Sequence, residues 1–439
     1  MKEYSIGLDL GTSSVKGVLF DGKEVVDTKS AKFTYKESCL PNGAKYIGFD
    51  ACEFCNTIFS VIKDFSNHVE KIGGEIKGLA FASASGNTLL LDDNGIPLID
   101  AYSWTNPAFR EEVKAVLPNF AKDYIRRVCG WGFFDSFPLA HLSHLKVNAP
   151  SLLKNAKTIC MTTEYVLFRL TGKWGMDYST ATPFYLVDQV KGEYHEPFLQ
   201  ALGIIKEQLV PLGNTGDLLG TTIKDVEDIT GLKVGTKVFL GSFDHPAGAR
   251  ANGIEKEGDL LLSCGTSWVE FFPVNDREKV ISLNALCDPF MKEKGVWGAM
   301  ISIACISSKI DSFIDKYISN GKDKFKTFSE LSMASTKGAN GLVINVLEDI
   351  DKDFSSCDKR DIARALMEST GNLLKQRLDR LKNEGIVFNR VCMAGGPSQN
   401  EFWVKVIEDI INIPITVTYG VNSGAVGSAK LYFDKGGAI

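Results

Sequence analysis

The chain opens each of its halves with the same local pattern, and that repetition constrains the fold more than any other feature. Residues 6–20 read Ile-Gly-Leu-Asp-Leu-Gly-Thr-Ser-Ser-Val-Lys-Gly-Val-Leu-Phe, and residues 260–271 read Leu-Leu-Leu-Ser-Cys-Gly-Thr-Ser-Trp-Val-Glu-Phe. In both, an apolar run enters Gly-Thr-Ser and a second apolar run leaves it. The short break predicts a β-hairpin tightened by Gly11 or Gly265. Such a turn presents small hydroxyls and backbone N–H groups, which suit phosphate oxygens. Two of them, one per half, predict a duplicated domain with two phosphate clamps facing one cleft.

The totals agree with two domains. The chain has 439 residues, 44% hydrophobic and 23% charged, as a folded globular protein does. A net charge of −5 argues against a nucleic-acid partner or an anionic membrane surface. No stretch approaches the roughly 20 apolar residues of a spanning helix, and no apolar signal segment precedes the first strand. The ten cysteines are scattered, with only Cys52 and Cys55 in a CxxC spacing. Buried free thiols are the preferred reading over zinc or redox chemistry. The expectation is a protein of the reducing cytoplasm.

Along the chain, Asp21-Gly22 signals another hairpin. A strand over 78–84 leads into Ser85-Gly86-Asn87, and Asp93-Asn94-Gly95 closes a later turn. Helical stretches are predicted over 109–116, 151–155 and 163–171, and residues 237–241 read as a buried strand. The apolar spacing of Ile362, Leu366, Leu373, Leu374, Leu378 and Leu381 predicts a long helix over 361–384, stopped by Gly385. No linker-like tract separates the halves, so the division falls at a short hinge just after Asp244, giving domains 1–244 and 245–439.

Residues 391–400 read as a strand, a glycine turn and a helix. Ser398 with Glu401 forms a capping-box pattern, so the helix is predicted to begin there, with Phe402, Val406 and Ile410 on its apolar face. Asn412-Ile413-Pro414 ends it. Gly395 and Gly396 would let a flat group lie against the backbone beside a helix N-terminus. Adenine and ribose-phosphate fit such a place, though a glycine pair alone is common in proteins that bind no nucleotide.

Taken in order, these segments resemble the FGGY carbohydrate kinases of the actin, Hsp70 and hexokinase superfamily. The resemblance rests on Asp9-x-Gly11-Thr12-Ser13 with Lys16, on Ser242-Phe243-Asp244-His245-Pro246-Ala247-Gly248-Ala249, on Gly265-Thr266-Ser267, on 394–400 with Phe402-Trp403, and on the last helical segment 424–429. It implies an α/β fold of two ribonuclease-H-like, actin-like ATPase domains with a cleft between them, and phosphorylation of a small sugar or polyol by ATP with Mg²⁺. Asp244 is then the expected general base. It is equally a candidate N-cap, with Pro246 in the first turn. Asp9, acidic in an otherwise apolar strand, would hold Mg²⁺ through water, with Asp244 nearby. Gly11, Thr12, Ser13, Gly265 and Thr266 would clamp phosphates, and Lys16 would reach the transferring group where the family usually has Arg. A solvated lysine is the competing reading. Gly395, Gly396 and Asn400 would form the adenosine site, and domain closure would accompany catalysis.

The sugar-binding parts depart from the family pattern. Ser83-Ala84-Ser85-Gly86 offers no planar or charged group to grip hydroxyls, and Trp104-Thr105-Asn106-Pro107-Ala108 lacks the family's acid and base. Substrate contacts are expected from Ser83, Ser85, Trp104, Asn106, Asp244 and His245, with Trp104 either stacking on a sugar face or filling core. Asp177-Tyr178-Ser179 is read as structural support. A homodimer is one expectation for assembly. A catalytically silent sugar- or nucleotide-binding sensor of the same fold is the alternative function.

Overall fold

The computed structural model describes residues 1–435. By its internal contacts the chain divides into two units. The first comprises residues 1–251, 286–290 and the C-terminal segment from Gly424, and the second comprises 252–285 and 291–423.

The first unit is built on a mixed sheet. Lys2–Leu10, Ser14–Phe20 and Val25–Lys32 form an antiparallel meander, and Gly74–Ser83 runs parallel to Lys2–Leu10 on its other side. Lys237–Phe239 and Ser242–Phe243 lie parallel to Gly74–Ser83 in turn. The crossover from the meander to Gly74–Ser83 is the helix Ala51–Ile72. Asp50 caps it by accepting from Cys52 N and Glu53 N, and left-handed Gly73 ends it. Its buried face carries Phe54, Ile58, Ile62 and Phe65. Cys55 is also on that face, where burial pushes its thiol up to about 12. That makes it a poor thiolate. The ten cysteines are all free.

The second unit repeats this plan. Asp259–Cys264, Trp268–Val274 and Val296–Ile303 form the meander, Arg390–Gly395 runs parallel to Asp259–Cys264, and Ile415–Thr416 runs parallel to Arg390–Gly395. The predicted duplication is therefore one of topology as well as of the Gly-Thr-Ser turns. Lys359–Asn383 is the long helix expected from the leucine spacing, capped at its start by Asp358. Among the described residues no helix is long and apolar enough to cross a membrane.

Three expectations need correction. The hinge expected after Asp244 meets a continuous helix, Asp244–Ala251, which is counted with the first unit. The strand expected over 237–241 is two pieces, because the chain steps at Leu240-Gly241, where a Cβ on Gly241 would overlap the Phe81 carbonyl. The helix expected from Ser398 starts at Glu401 instead, since Asn400 Oδ1 accepts from Trp403 N at 3.1 Å and Ser398 Oγ turns back to Gly395 O. Its buried face is accordingly Trp403, Val406, Ile407 and Ile411.

The helix Ser423–Asp434 completes the first unit. Gly7 and Gly427 allow the contact: a Cβ on Gly7 would overlap the Ala425 carbonyl, and one on Gly427 the Ala247 carbonyl. Ser5 Oγ donates to Ala429 O at 2.8 Å.

Candidate active site

The first unit collects its chemistry where Lys2–Leu10, Gly74–Ser83 and Ser242–Phe243 end. Strand alternation buries Ile6, Leu8 and Leu10 on one face and turns Gly7 and Asp9 to the other. Asp9 there meets the start of helix Ser423–Asp434, where a Cβ on Gly424 would stand 2.9 Å from Asp9 Oδ2. Removal from water, and then the charge of Asp244, push the Asp9 carboxyl up to about 7, while Lys16 pulls it down. Lys16 is the direct cross-strand neighbour of Asp9 and is exposed. Beyond them the turn closes through Gly11 N to Ser14 O at 3.1 Å, leaving Thr12 half-buried and Ser13 exposed.

Asp244 follows directly on strand Ser242–Phe243, whose register partners are Ala82 and Ser83. It is the first residue of its helix, and its Oδ1 accepts from His245 N at 2.7 Å. His245 Nε2 lies 3.7 Å from the same oxygen. A network that the sequence did not announce fixes this strand end. Phe243 N donates to Ser179 Oγ at 3.1 Å, and Ser179 Oγ donates to Asp288 Oδ2 at 2.7 Å. Arg250 donates to Ser242 Oγ at 2.9 Å and to Phe290 O at 3.0 Å. Asp288 is fully buried, and that burial raises it to about 7, against the pull of Ser179 and Arg250. Only the Asp177-Tyr178-Ser179 segment hinted at this support. Asp288 and Arg250 carried no local signal.

Beside the first turn lies a narrow cleft of ≈ 20 Å³. Ser83 and Trp104 line it with Gly11 and Thr12, and Trp104 is half-exposed there, so it is not core. Two expected contacts are otherwise engaged. Asn106 is buried, its Oδ1 accepting from Ile47 N at 2.6 Å and its Nδ2 donating to Ile47 O and Ser103 O at 2.7 and 2.6 Å. It braces the loop and has no amide group left for a sugar. Ser85 is buried and turned to Ser83 O.

In the second unit the Gly265-Thr266 turn is exposed and held from behind. Gly265 O accepts from Ser307 Oγ at 2.6 Å, Thr266 O from Ser307 N at 3.2 Å, and Ser267 Oγ from Cys305 N at 3.1 Å. The two glycines of the later turn differ. A Cβ on Gly395 (φ +96°) would overlap the Cys264 carbonyl, so this glycine serves strand packing, whereas Gly396 faces open space. Asn400 is half-buried and acts as the cap already described.

With this geometry in place, comparison with known proteins decides the family. The sequence matches the N-terminal domain of the FGGY family of carbohydrate kinases over residues 4–250 and its C-terminal domain over 329–433. The chain belongs to the FGGY family of carbohydrate kinases. It is 24% identical to the xylulose kinase of Bacillus subtilis over 98% of this chain and 87% of that protein. To the autoinducer-2 kinase of Klebsiella pneumoniae it is 22% identical over 97% and 84%. The crystal structure of xylulose kinase from Rhodospirillum rubrum superposes with a TM-score of 0.84 at 21% identity, covering 99% of this chain and 90% of the other. The fold is that of the two-domain, actin-like FGGY kinases, and the chain is an ATP-dependent carbohydrate phosphotransferase of the Mg²⁺-using type.

The residues present fit Mg²⁺. Asp9 and Asp244 offer hard oxygen ligands, with Asp244 close enough for its charge to push the Asp9 carboxyl up, and Gly424 leaves the space beside Asp9 clear of side chain. A cation that keeps several waters and takes few carboxylates suits that set.

Proposed function

We propose that the chain transfers the γ-phosphoryl group of ATP to one hydroxyl of a small sugar or polyol, with Asp244 as the general base. The observation that carries this reading is the pair Asp9 and Asp244. Asp9 stands in Lys2–Leu10 and Asp244 just after Ser242–Phe243, two strands that flank Gly74–Ser83 on either side, beside a Gly-Thr-Ser turn and within charge reach of one another. Phosphoryl transfer needs positioning and charge neutralisation more than covalent chemistry, and the bound Mg²⁺ would supply neutralisation of the phosphate charge. Asp9 would hold it through water, with Asp244 close by. Gly11, Thr12 and Ser13, with Lys16 behind them, would bind phosphate in the first unit, as Gly265 and Thr266 would in the second. Gly396 and Asn400 would face the adenosine, with Gly395 shaping the turn. Ser83, Trp104 and His245 would border the acceptor, whose hydroxyl donates its proton to an Asp244 carboxylate oxygen.

The test is coupled ADP release with Mg-ATP across ketoses, aldoses, polyols and deoxy sugars. One acceptor should give turnover in the wild type and lose it in Asp244→Asn, with nucleotide binding retained. Undiminished turnover in that variant would remove Asp244 from the chemistry.

A further inference from the structure

The second unit buries an acid where its packing calls for an apolar side chain. Trp268, Glu270 and Phe272 share one face of strand Trp268–Val274, and all three are fully buried. A carboxylate in that row costs more than a well-packed apolar side chain would. Arg377 of helix Lys359–Asn383 meets it, its Nε donating to Glu270 Oε1 at 2.6 Å. Half of each group is left over. Glu270 Oε2 and Arg377 Nη2 are buried and have no hydrogen-bond partner among the described residues. Burial raises the Glu270 carboxyl against the pull of Arg377.

The pair lines a cavity of ≈ 210 Å³ that lies wholly within this unit. The space is worth about seven waters at about 30 Å³ each. Arg377, Arg380 and Leu381 share one helical face by their spacing and form one wall. The sheet supplies Ile301, the direct cross-strand neighbour of Glu270, and Leu283 follows helix Arg277–Ser282. Glu270 is fully buried, whereas Arg377 keeps 25% of its side-chain surface exposed and can be reached.

The charges around the cavity do not cancel. Glu270 is matched by Arg377, and Glu384 by Lys279 at 3.4 Å. The Arg380 guanidinium, exposed one helical turn from Arg377, has no partner among the described residues. Guanidinium forks match carboxylate and phosphate oxygens, and Leu283, Ile301 and Leu381 offer a short carbon chain an apolar surface.

We infer that this cavity binds a small organic anion, its carboxylate or phosphate group held by Arg380 and Arg377 and its short carbon skeleton laid on Leu283, Ile301 and Leu381. Glu270 is a positioning residue, which fixes the Arg377 guanidinium from behind.

The test is calorimetric binding to the full chain, with Mg²⁺ and a non-hydrolysable ATP analogue present to fill the phosphate clamps. The probes are butyrate, its neutral counterpart butyramide, sn-glycerol 3-phosphate and inorganic phosphate. At least one of the two organic anions should bind with a Kd below about 1 mM, at least about tenfold tighter than butyramide and inorganic phosphate. Which of the two binds more tightly tells carboxylate from phosphate recognition. Arg380→Ala should weaken that binding at least about tenfold and Arg380→Lys less than about threefold, with melting temperature and any ADP release unchanged in both. Failure of both organic anions to bind below about 1 mM would overturn the inference. So would equal binding of butyramide or inorganic phosphate, or a Kd within about twofold of wild type in Arg380→Ala. Binding is read without turnover, so its outcome is independent of whether Asp244→Asn abolishes ADP release.

Discussion

Replacing Asp288 by Asn should change how stability depends on pH, by an amount the structure sets. Asp288 is fully buried, receives a hydrogen bond from Ser179 Oγ at 2.7 Å, and titrates in the folded protein near 7 instead of 3.8. Near pH 8 the group is ionised in folded and unfolded chains alike. As the pH falls through 7 the folded chain takes up the proton first, so proton binding favours the folded state. The stability gained this way is complete below about 4 and lost as the pH rises through 7. At about 1.36 kcal/mol per pH unit below the folded value, moving from about pH 8 to about pH 5.5 stabilises the wild type by about 2 kcal/mol through this group. Asn keeps an acceptor for Ser179 but does not titrate. Urea unfolding of both proteins at the two pH values should therefore show the stability advantage of Asp288→Asn over wild type shrinking by about 2 kcal/mol at the lower pH. Asp9 and Asp177 are also raised, to about 7 and about 6 by burial, but they titrate in both proteins and cancel in the comparison. A difference that stays constant between the two pH values would refute the claim that burial sets the Asp288 proton equilibrium.

Other expectations follow from the same geometry. Asp244→Asn should lower turnover by about 10²–10⁴-fold with nucleotide affinity nearly unchanged, measured by ADP release and by fluorescent-nucleotide titration. Asn106→Ala should cost about 2–3 kcal/mol of unfolding free energy, since it breaks three hydrogen bonds to backbone, with turnover per folded molecule close to wild type. A large loss of turnover in that folded variant would return Asn106 to the acceptor site. Gly424→Ala puts a methyl 2.9 Å from Asp9 Oδ2 and should raise the Mg²⁺ concentration for half-maximal activity several-fold; an unchanged Mg²⁺ titration would detach Asp9 from the metal. Gly396→Val should weaken ATP binding in a protein that melts normally, whereas Gly395→Val should lower the melting temperature by breaking the approach to Cys264.

The sequence carried the local features well. Both Gly-Thr-Ser segments between apolar runs are hairpin turns, because turn geometry is set by adjacent residues. The long helix after Asp358 was equally visible in its leucine spacing, and Asn412 ended the following helix where expected. What escaped was set by partners far along the chain. Ser179 and Asp288 are 109 positions apart, and nothing near either residue announces their bond. Asn106 looked available for a hydroxyl until Ile47, 59 positions earlier, was found to hold it. Gly395 was read as an opening for a ligand, yet its lack of a side chain serves the neighbouring strand. The capping error had a different source. Ser398 and Asn400 are both good cap residues with acidic or polar residues following, and only the backbone shows which of them the helix uses.

The return of helix Ser423–Asp434 to the first unit also bears on how the protein is made. The sheet of residues 2–83 presents Gly7 to the helix Ser423–Asp434, translated long after it, so the nascent first unit emerges with that strip of its surface bare. Residues 252–423, apart from the 286–290 excursion, can collapse locally while that strip waits. A ribosome stalled before Ser423 would hold a chain whose first unit lacks its closing helix, and a fragment ending at Ala251 should be sticky and protease-sensitive, however well its own strands pair.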